Sequence, residues 1–546
     1  MNDGARGAHQ QPGERVGDDT FKRHRGPLVG EILFVLLLVV LAIGLRVPLM
    51  ANADGLMDSD AAFNALSVKH LLRGDAFFLY YPGQDYQGIT EGVLGVLLTR
   101  WFGWSSLAYH SSSLLFYLAY VVTIYLLTRE AFGRSPAAMA ACLAAFAAPF
   151  VLKHSMTALG GHVFVPLAGA LMAWFLFRYE SSRRPSWLYG LALTAGLSYY
   201  TYKLSAVVIA PAFVYLAYRS AVTWRSGARV RRAMIAGFAI WLLVGLTPLI
   251  AARLCCPPTS RPVAVGVAKP AQRSSNCTML WRQALPDVLG YATPRRLPRR
   301  PADRFAATAV PRFLGAVYGA AFVYLLVRIV RREAGLLLFP KGGVPSREAT
   351  LLLFLASPLV AFCLSNYVTD RNSARYLLPV YVAFPPLIAF ALSRLARLRL
   401  RVLAWAVVLA LCFANVWGGI VFCRKSGFLS KRGWSVVRVS PAPREAARYL
   451  LDQGVTRAYG SYWIAYLMTF LTDERLIVAP YGGLNERKPP DYGSIVREEP
   501  NPPYVFLGID RQLRRDFLRR MEKDRVPLTE RRFDGFKGGI FVYMRE

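Results

Sequence analysis

The chain has 546 residues, of which 54% are hydrophobic, and its formal net charge is +33. So apolar a composition over such a length excludes an ordinary soluble enzyme. Most basic residues form short clusters between apolar blocks, as in the cytoplasmic loops of membrane proteins, so the charge does not indicate nucleic-acid binding.

Residues 1–27 are polar and rich in glycine, which predicts a disordered cytoplasmic tail. Residues 28–49 are apolar, long enough to cross a bilayer and not followed by a small-residue cleavage site, so they predict a retained anchor. Further apolar blocks bounded by Arg or Lys continue to residue 423. They predict a polytopic α-helical membrane domain with about eleven spans, near 28–49, 105–127, 135–152, 158–178, 187–202, 204–219, 233–252, 306–328, 349–366, 376–394 and 402–423.

Basic clusters follow alternate spans, namely the second, fourth, sixth, eighth and tenth. They include Arg129 and Arg134, Arg178 and Arg183, Arg219 and Arg225, Arg328 and Arg331, and Arg394 and Arg397. Alternate loops share one side of a membrane, and a basic bias marks that side as cytoplasmic. The prediction is an inner-membrane protein with a cytoplasmic N-terminus. The first loop (50–104), the long 253–305 loop and residues 424–546 are then extracytoplasmic.

The 253–305 loop is itself basic and holds Cys255, Cys256 and Cys277. Two interpretations are open: a solvated loop beside anionic headgroups, or a surface that favours a phosphate-bearing lipid substrate. Because this side of the membrane is oxidising, we expect Cys277 to form a disulfide with Cys255 or Cys256.

Residues 424–546 differ from the apolar body that precedes them. A helix is predicted over 444–451 and a second over 511–523, and short strands are predicted over 458–462, 476–479, 504–509 and 539–544. These elements predict a small extracytoplasmic α/β domain.

The first loop carries acidic residues and a tract rich in tyrosine and glycine. The pattern runs Asp58-Ser59-Asp60-Ala61, then Lys69-His70-Leu71-Leu72-Arg73-Gly74, then Tyr81-x-Gly83-Gln84-x-Tyr86-x-Gly88-x-x-Glu91. It resembles the first extracytoplasmic loop of bacterial GT-C-type membrane glycosyltransferases, which are related to protein mannosyltransferases and to the aminoarabinose transferases of lipid A. The segments 372–381 and 459–475 resemble further stretches of the same family.

This resemblance implies a GT-C-like fold and a sugar donor carried on a polyprenyl phosphate. The acceptor would be a lipid, a polysaccharide or a protein, and a first-loop aspartate would be the base. The chain departs from the family at two places. Ala61 follows Asp60 where many members have Glu, and Gly92 follows Glu91 where the aminoarabinose branch has a lysine that contacts phosphate.

The reaction itself requires these residue types. A carboxylate takes the acceptor proton, and cations hold the phosphate leaving group. Asp60 and Asp58 are the catalytic candidates, although either aspartate is also suited to cap a helix over 61–72. The substrate-binding candidates are Glu91, Tyr81, Gln84, Tyr86, His162, Lys203, Arg371, Arg375 and Tyr376.

Each binding candidate also has a structural interpretation. Glu91 suits an ordinary surface position, the tyrosines an interfacial belt, His162 helix packing, and Lys203 a snorkelling position. No cofactor is required, and a divalent metal ion stays open, with Glu91 and Asp58 as its candidate ligands.

Two other functions compete with a glycosyltransferase: a flippase or transporter of lipid-linked sugars, and an inactive scaffold that binds wall polymers. A transporter places charges and broken helices at mid-span, whereas these spans are almost free of charge. The presence of both Asp60 and Glu91 argues against the scaffold. The expected partners are therefore the lipid-linked donor, its acceptor and membrane lipids.

Overall fold

The structure is a computed structural model, and it describes residues 28–225, 232–255, 266–292, 301–338, 345–397, 400–430, 435–437, 442–483 and 486–546. The predicted tail 1–27 lies outside these ranges.

The apolar blocks are helical because a helix satisfies their backbone polar groups internally. The first eighteen helices form the membrane domain and its loops. They are α1 Leu28–Gly44, α2 Val47–Met50, α3 Ala53–Leu56, α4 Ser59–Arg73, α5 Thr90–Phe102, α6 Ser106–Phe132, α7 Arg134–Ala145, α8 Pro149–His154, α9 Phe164–Ser182, α10 Pro185–Thr201, α11 Ala206–Arg225, α12 Arg232–Cys255, α13 Pro270–Met279, α14 Leu285–Leu289, α15 Pro301–Leu338, α16 Arg347–Leu364, α17 Phe384–Arg397 and α18 Arg401–Lys425. Short 3₁₀ segments lie at Lys203–Ser205 and Arg371–Val382, and a π segment at Leu280–Ala284.

Among the described residues, six helices are long and apolar enough to cross a membrane, and a seventh crossing is formed if Arg371–Val382 and Phe384–Leu395, bent by 51°, make one span. Each of the predicted spans overlaps a helix, and those near 135–152 and 376–394 are each divided between two helical segments. Four predicted spans correspond to helices that are not, individually, both long and apolar enough to cross a membrane: 28–49 (α1), 135–152 (α7), 158–178 (α9) and 187–202 (α10). The predicted polytopic helical membrane fold is confirmed.

The basic clusters that follow alternate spans meet at one end of the bundle. Glu31, at the start of α1, accepts from Arg129 Nε at 2.8 Å and Arg134 Nε at 2.6 Å. Further pairs at this end join Arg178 to Glu130, Arg219 to Glu180, and Arg328 and Arg332 to Glu348. The clusters therefore share a side with the start of α1. That this side is cytoplasmic stays a prediction.

The tail domain, residues 442–546, contains the predicted small sheet. Its helices are α19 Ala442–Asp452, α20 Tyr462–Leu471, α21 Tyr492–Arg497 and α22 Arg511–Lys523. Its strands are β1 Arg457–Gly460, β2 Ile477–Pro480, β3 Tyr504–Leu507, β4 Leu528–Phe533 and β5 Ile540–Arg545, in the order β2-β1-β3-β5-β4. β1 pairs in parallel with β2 and β3, and β5 runs antiparallel to β3 and β4. The apolar face of β3 and β5 packs on Phe517 and Met521 of α22.

The tail docks on the first loop through α20 and α4, which share one hydrophobic cluster. The Phe63 and Tyr466 rings lie 4.8 Å apart, and the Trp104 indole N–H donates to the Phe470 carbonyl at 2.8 Å. This contact fixes the tail over the first loop.

The predicted disulfide is wrong for Cys255, because Cys277 and Cys255 are both free thiols. Cys256 lies outside the described residues. The physical reason is the packing of α13 on α16: the buried Asn276 amide donates to the carbonyls of Phe362, Cys363 and Ser365. This contact directs the neighbourhood of Cys277 towards α16, whereas Cys255 ends α12 and is exposed.

Candidate active site

Asp58 and Asp60 stand at the start of α4 and have different roles there. Asp58 is the N-cap, and its Oδ1 accepts from the Ala61 amide at 2.9 Å. Burial, and then the nearby charge of Asp60, raise the pKa of the Asp58 carboxyl. Since one cap satisfies the helix start, the carboxylate of Asp60 is free for another contact.

That contact comes from the tail domain. Asp60 Oδ1 accepts from Arg487 Nη2 at 2.9 Å and from the Tyr462 hydroxyl. Both donors bind the same oxygen, so within the described part of the chain Oδ2 has no hydrogen-bond partner. The carboxylate is thus anchored by one oxygen, and the other is left for a further group.

Two more cations act on the aspartate pair, and a third lies near one of them. Arg375 and Lys537 both act electrostatically on Asp58, and Lys153, at the end of α8, lies within electrostatic range of Lys537. Arg375 is half-buried on the 3₁₀ segment that the Asp370–Ser373 capping box starts. Its guanidinium lies 5.4 Å from the ring of Tyr376, and its Nε has no hydrogen-bond partner in the described structure.

An aromatic wall lies next to Arg375. His162 is buried and meets Tyr202 edge-on at 4.9 Å, and the His162 and Tyr376 rings lie 6.2 Å apart. Tyr86 packs 6.2 Å from Tyr202, within electrostatic range of Arg375, Asp60 and Arg487. The structure therefore brings together the predicted residues Asp58, Asp60, Tyr86, His162, Arg375 and Tyr376.

Glu91 has a different environment: it is buried and binds the turn that precedes His162. Its buried carboxylate accepts from Ser113 Oγ at 2.5 Å and from the amides of Gly160 and Gly161, both at 2.6 Å. Burial raises the pKa of Glu91. Gly160 and Gly161 have φ values of 86° and 109°, a conformation that suits glycine, and His162 follows directly. Glu91 thus holds the turn that positions His162.

Within the described part of the chain, the remaining predicted residues make no hydrogen bond to the aspartate pair. Tyr81 is fully buried, and a Cβ at Gly92 would meet its hydroxyl at 2.3 Å, so position 92 has no room for a side chain. Gln84 is buried in the turn after Tyr81, and its backbone N–H donates to the Tyr81 carbonyl at 2.8 Å. Lys203 Nζ lies 5.8 Å from the ring of Tyr80.

Arg371 is also occupied elsewhere. It forms a bidentate pair with Asp287, Nε to Oδ2 and Nη2 to Oδ1 both at 2.6 Å, and more than half of its side chain is exposed. This pair explains why Arg371, only four positions from Arg375, does not join the cation cluster.

Sequence reasoning missed Arg487, Lys537 and Lys153 as site residues, and it placed Tyr462 in a tail motif without assigning it to the site. The only signals were a charged run before two prolines, Glu486-Arg487-Lys488-Pro489-Pro490, and a glycine-rich hairpin, Gly535-Phe536-Lys537-Gly538-Gly539. Neither pattern indicates a distant aspartate.

Among the described residues, no group of three or more His, Cys, Asp or Glu side chains is placed to hold a metal ion. The candidate ligand Glu91 already accepts three hydrogen bonds from protein donors. Its carboxylate is therefore engaged in structure rather than open to a cation.

A helical membrane domain, an aspartate pair above its bundle and a small α/β tail define the GT-C class of membrane-protein fold. Residues 94–250 match the family model of dolichyl-phosphate-mannose-protein mannosyltransferases. No curated protein matches the chain in sequence.

Two solved structures of ArnT share the fold of this chain. ArnT of Cupriavidus metallidurans bound to undecaprenyl phosphate is 13% identical, with a TM-score of 0.60 over 95% of this chain and 98% of ArnT. Apo ArnT is 12% identical, with a TM-score of 0.58 over 94% and 98% of the two chains. The oligosaccharyltransferase AglB of Archaeoglobus fulgidus is 14% identical, with a TM-score of 0.48 over 88% of this chain and 69% of AglB. The predicted resemblance to GT-C-type glycosyltransferases is confirmed.

Proposed function

We propose that the chain is an integral membrane glycosyltransferase that moves a sugar from a polyprenyl-phosphate carrier to a lipid, polysaccharide or protein acceptor outside the cytoplasm. The observation that carries the proposal is the pair Asp58 and Asp60, placed beside Arg375, Arg487, Lys537 and Lys153. Such a site combines a carboxylate for an acceptor proton with cations for a phosphate. The undecaprenyl phosphate bound to ArnT, whose fold this chain shares, supports the same donor class.

In the proposed reaction, the acceptor hydroxyl oxygen forms a bond to the anomeric carbon. The bond from that carbon to the phosphate oxygen breaks, and the phosphate leaves with the electron pair. Asp60 receives the hydroxyl proton on Oδ2, because Oδ1 is held by Arg487 and Tyr462. Arg375 faces the leaving phosphate, which its unpaired Nε is able to bind.

The test is Asp60→Asn. The amide oxygen retains the contacts of Oδ1 with Tyr462 and Arg487, and Asp58 remains the cap, so the fold is expected to be unchanged. Loss of a general base lowers the rate by roughly 10²–10⁴-fold. The measurement is release of undecaprenyl phosphate from synthetic undecaprenyl-phosphate hexoses and pentoses by the purified full chain in lipid nanodiscs.

The matched control is Asp516→Asn, which changes an exposed aspartate of α22 that accepts from the Gln512 side-chain amide. It is expected to keep the wild-type rate. A wild-type rate in Asp60→Asn would exclude Asp60 as the base and make Asp58 the next candidate. A wild-type chain that releases no undecaprenyl phosphate from any donor in the panel, with or without added membrane lipid and glycan acceptors, would argue against the proposed reaction.

A further inference from the structure

The hairpin between β4 and β5 carries the tail domain's lysine to the aspartate pair. Lys537 Nζ lies 5.5 Å from the centroid of the Trp463 ring, and the neighbouring Tyr462 donates to Asp60. The charges acting on Lys537 are Asp58, Asp510, Asp60 and Lys153. Lys537 thus acts on Asp58 as Arg375 does, but from the tail domain.

The backbone at this position does not favour a lysine. Lys537 has a φ of +42°, between Gly535 at +96° and Gly538 at +85°. A side chain in this left-handed region is strained, and such strain is concentrated at functional positions. Glycine is the residue that this conformation suits, so a lysine here points to a role for its side chain.

Lys537 is exposed, and its ammonium group lies 5.5 Å and 5.3 Å from the ring centroids of Trp463 and Phe536. Among the described residues, no carboxylate lies within ion-pair distance of its ammonium group, whereas Arg487 pairs directly with Asp60. The nearby charges comprise four cations, Arg375, Arg487, Lys537 and Lys153, and three carboxylates, Asp58, Asp60 and Asp510. The surplus of positive charge suits an anionic ligand.

We propose that the tail domain completes the donor site: Lys537, presented by the β4–β5 hairpin, binds the phosphate of the lipid-linked donor together with Arg375 of the membrane domain. Lys537 and Arg375 both lie within electrostatic range of Asp58, so one phosphate beside that residue lies near both cations. The tail then contributes to substrate binding as well as covering the first loop. This inference rests on the proposed function.

The experiment measures binding of undecaprenyl phosphate, and of neutral undecaprenol, to the full chain in nanodiscs of zwitterionic lipid. The variants are Lys537→Gln, Lys537→Arg and Lys537→Gly, the last being a residue that the backbone accepts without strain. The matched control is Lys523→Gln, an exposed lysine in the last turn of α22.

Loss of a charge-assisted hydrogen bond is expected to raise the Kd for undecaprenyl phosphate by about 10-fold to 100-fold in Lys537→Gln and Lys537→Gly. Lys537→Arg and Lys523→Gln are expected to bind as the wild type does, and undecaprenol is expected to bind all variants equally. An unchanged Kd in Lys537→Gln would overturn the inference while the proposed function stood. If Lys537→Gln left the Kd for undecaprenyl phosphate unchanged but raised the KM for the acceptor, the inference would also be overturned, and Lys537 would be assigned to acceptor binding. A wild-type chain that does not distinguish undecaprenyl phosphate from undecaprenol would overturn the proposed donor itself.

Discussion

The tail domain is attached to α4 by a cluster of ion pairs around Glu474. Replacing Glu474 by glutamine is the sharpest test of how this domain is held. Glu474 accepts from Lys69 Nζ at 2.5 Å, from His70 Nε2 at 2.6 Å and from the Tyr492 hydroxyl at 2.7 Å. Lys69 also pairs with Asp473, and Arg73 Nη1 lies 3.7 Å from Glu474 Oε2. Only 14% of the Glu474 side chain is exposed, so these contacts are shielded from water.

The size of the effect follows from the ionisation of Glu474. Burial by itself would raise its pKa, but hydrogen bonds from His70, Lys69 and Tyr492 lower the pKa of Glu474 from 4.5 to about 2. At about 1.4 kcal/mol per pKa unit, this difference stabilises the docked tail by roughly 3 kcal/mol at neutral pH. Partial exposure screens the charges, so we expect Glu474→Gln to cost about 2 kcal/mol.

The same contacts give the docking a pH dependence. Hydrogen bonding to Glu474, and then to Asp75, raises the pKa of His70, so its contribution is complete below the ordinary value of 6.5 and is lost as pH rises through the raised value. The contribution of Glu474 is complete above 4.5 and is lost as pH falls towards about 2. The docked tail is therefore expected to be most stable between about pH 4.5 and pH 6.5.

Hydrogen exchange of the backbone amides of α4 and α20 measures this directly, because their exchange reports local opening. A loss of about 2 kcal/mol increases the open population by about 30-fold. The control is Glu498→Gln, in which the lost partner of Arg457 is 72% exposed and is expected to cost under about 1 kcal/mol. Equal exchange in Glu474→Gln and the wild type, or a docking stability independent of pH, would refute this reasoning.

Three further predictions concern the site and the topology. Glu91→Gln is expected to cost about 1–3 kcal/mol, because the new amide group faces the Gly160 and Gly161 amides or Ser113; an unchanged melting temperature would contradict this. Arg375→Gln is expected to weaken binding of undecaprenyl phosphate by about 10-fold, whereas Arg371→Gln, which loses only the pair with Asp287, is expected to leave the Kd unchanged; equal effects of the two changes would contradict the assignment. A reporter fused after Glu546 is expected to be active only outside the cytoplasm, and cytoplasmic activity would reverse the predicted orientation.

The sequence predicts the helical frame well, because each span must satisfy its backbone inside an apolar solvent and so appears as an apolar block. The sequence predicts the tail domain less completely. β4 reads Leu528-Thr529-Glu530-Arg531-Arg532-Phe533 and is mostly exposed at the sheet edge, so it lacks the apolar alternation that marks a strand. The strand predicted over 458–462 ends earlier, because α20 begins at Tyr462 and buries its apolar face against α4.

Some residues of the candidate site are predictable from local sequence patterns, whereas others are brought to it only by long-range contacts. Asp58, Asp60 and Arg375 belong to segments with a recognisable pattern, and the cap role of Asp58 follows from local helix chemistry. Arg487 lies 427 positions from its partner Asp60, and only the folded chain brings the two together. The hydrogen bonds of Glu91 could not be predicted from the sequence, because its partners Ser113, Gly160 and Gly161 come from two other parts of the chain.

The tail holds α4 at both ends, and this arrangement links the docking of the domain to the chemistry of the site. Arg487 and Tyr462 bind Asp60 in the first turn of α4, and Glu474 binds Lys69 and His70 near its end, about 13 Å away along the helix. Because α4 is rigid over that distance, loosening the Glu474 end allows the whole domain to tilt about the helix. Arg487 and Lys537 would then move relative to Asp60, although neither residue had been changed. A positioning error of about 1 Å is enough to lower a rate by about 100-fold. Glu474→Gln is therefore expected to slow sugar transfer as well as to destabilise the docked tail, and Glu498→Gln to do neither.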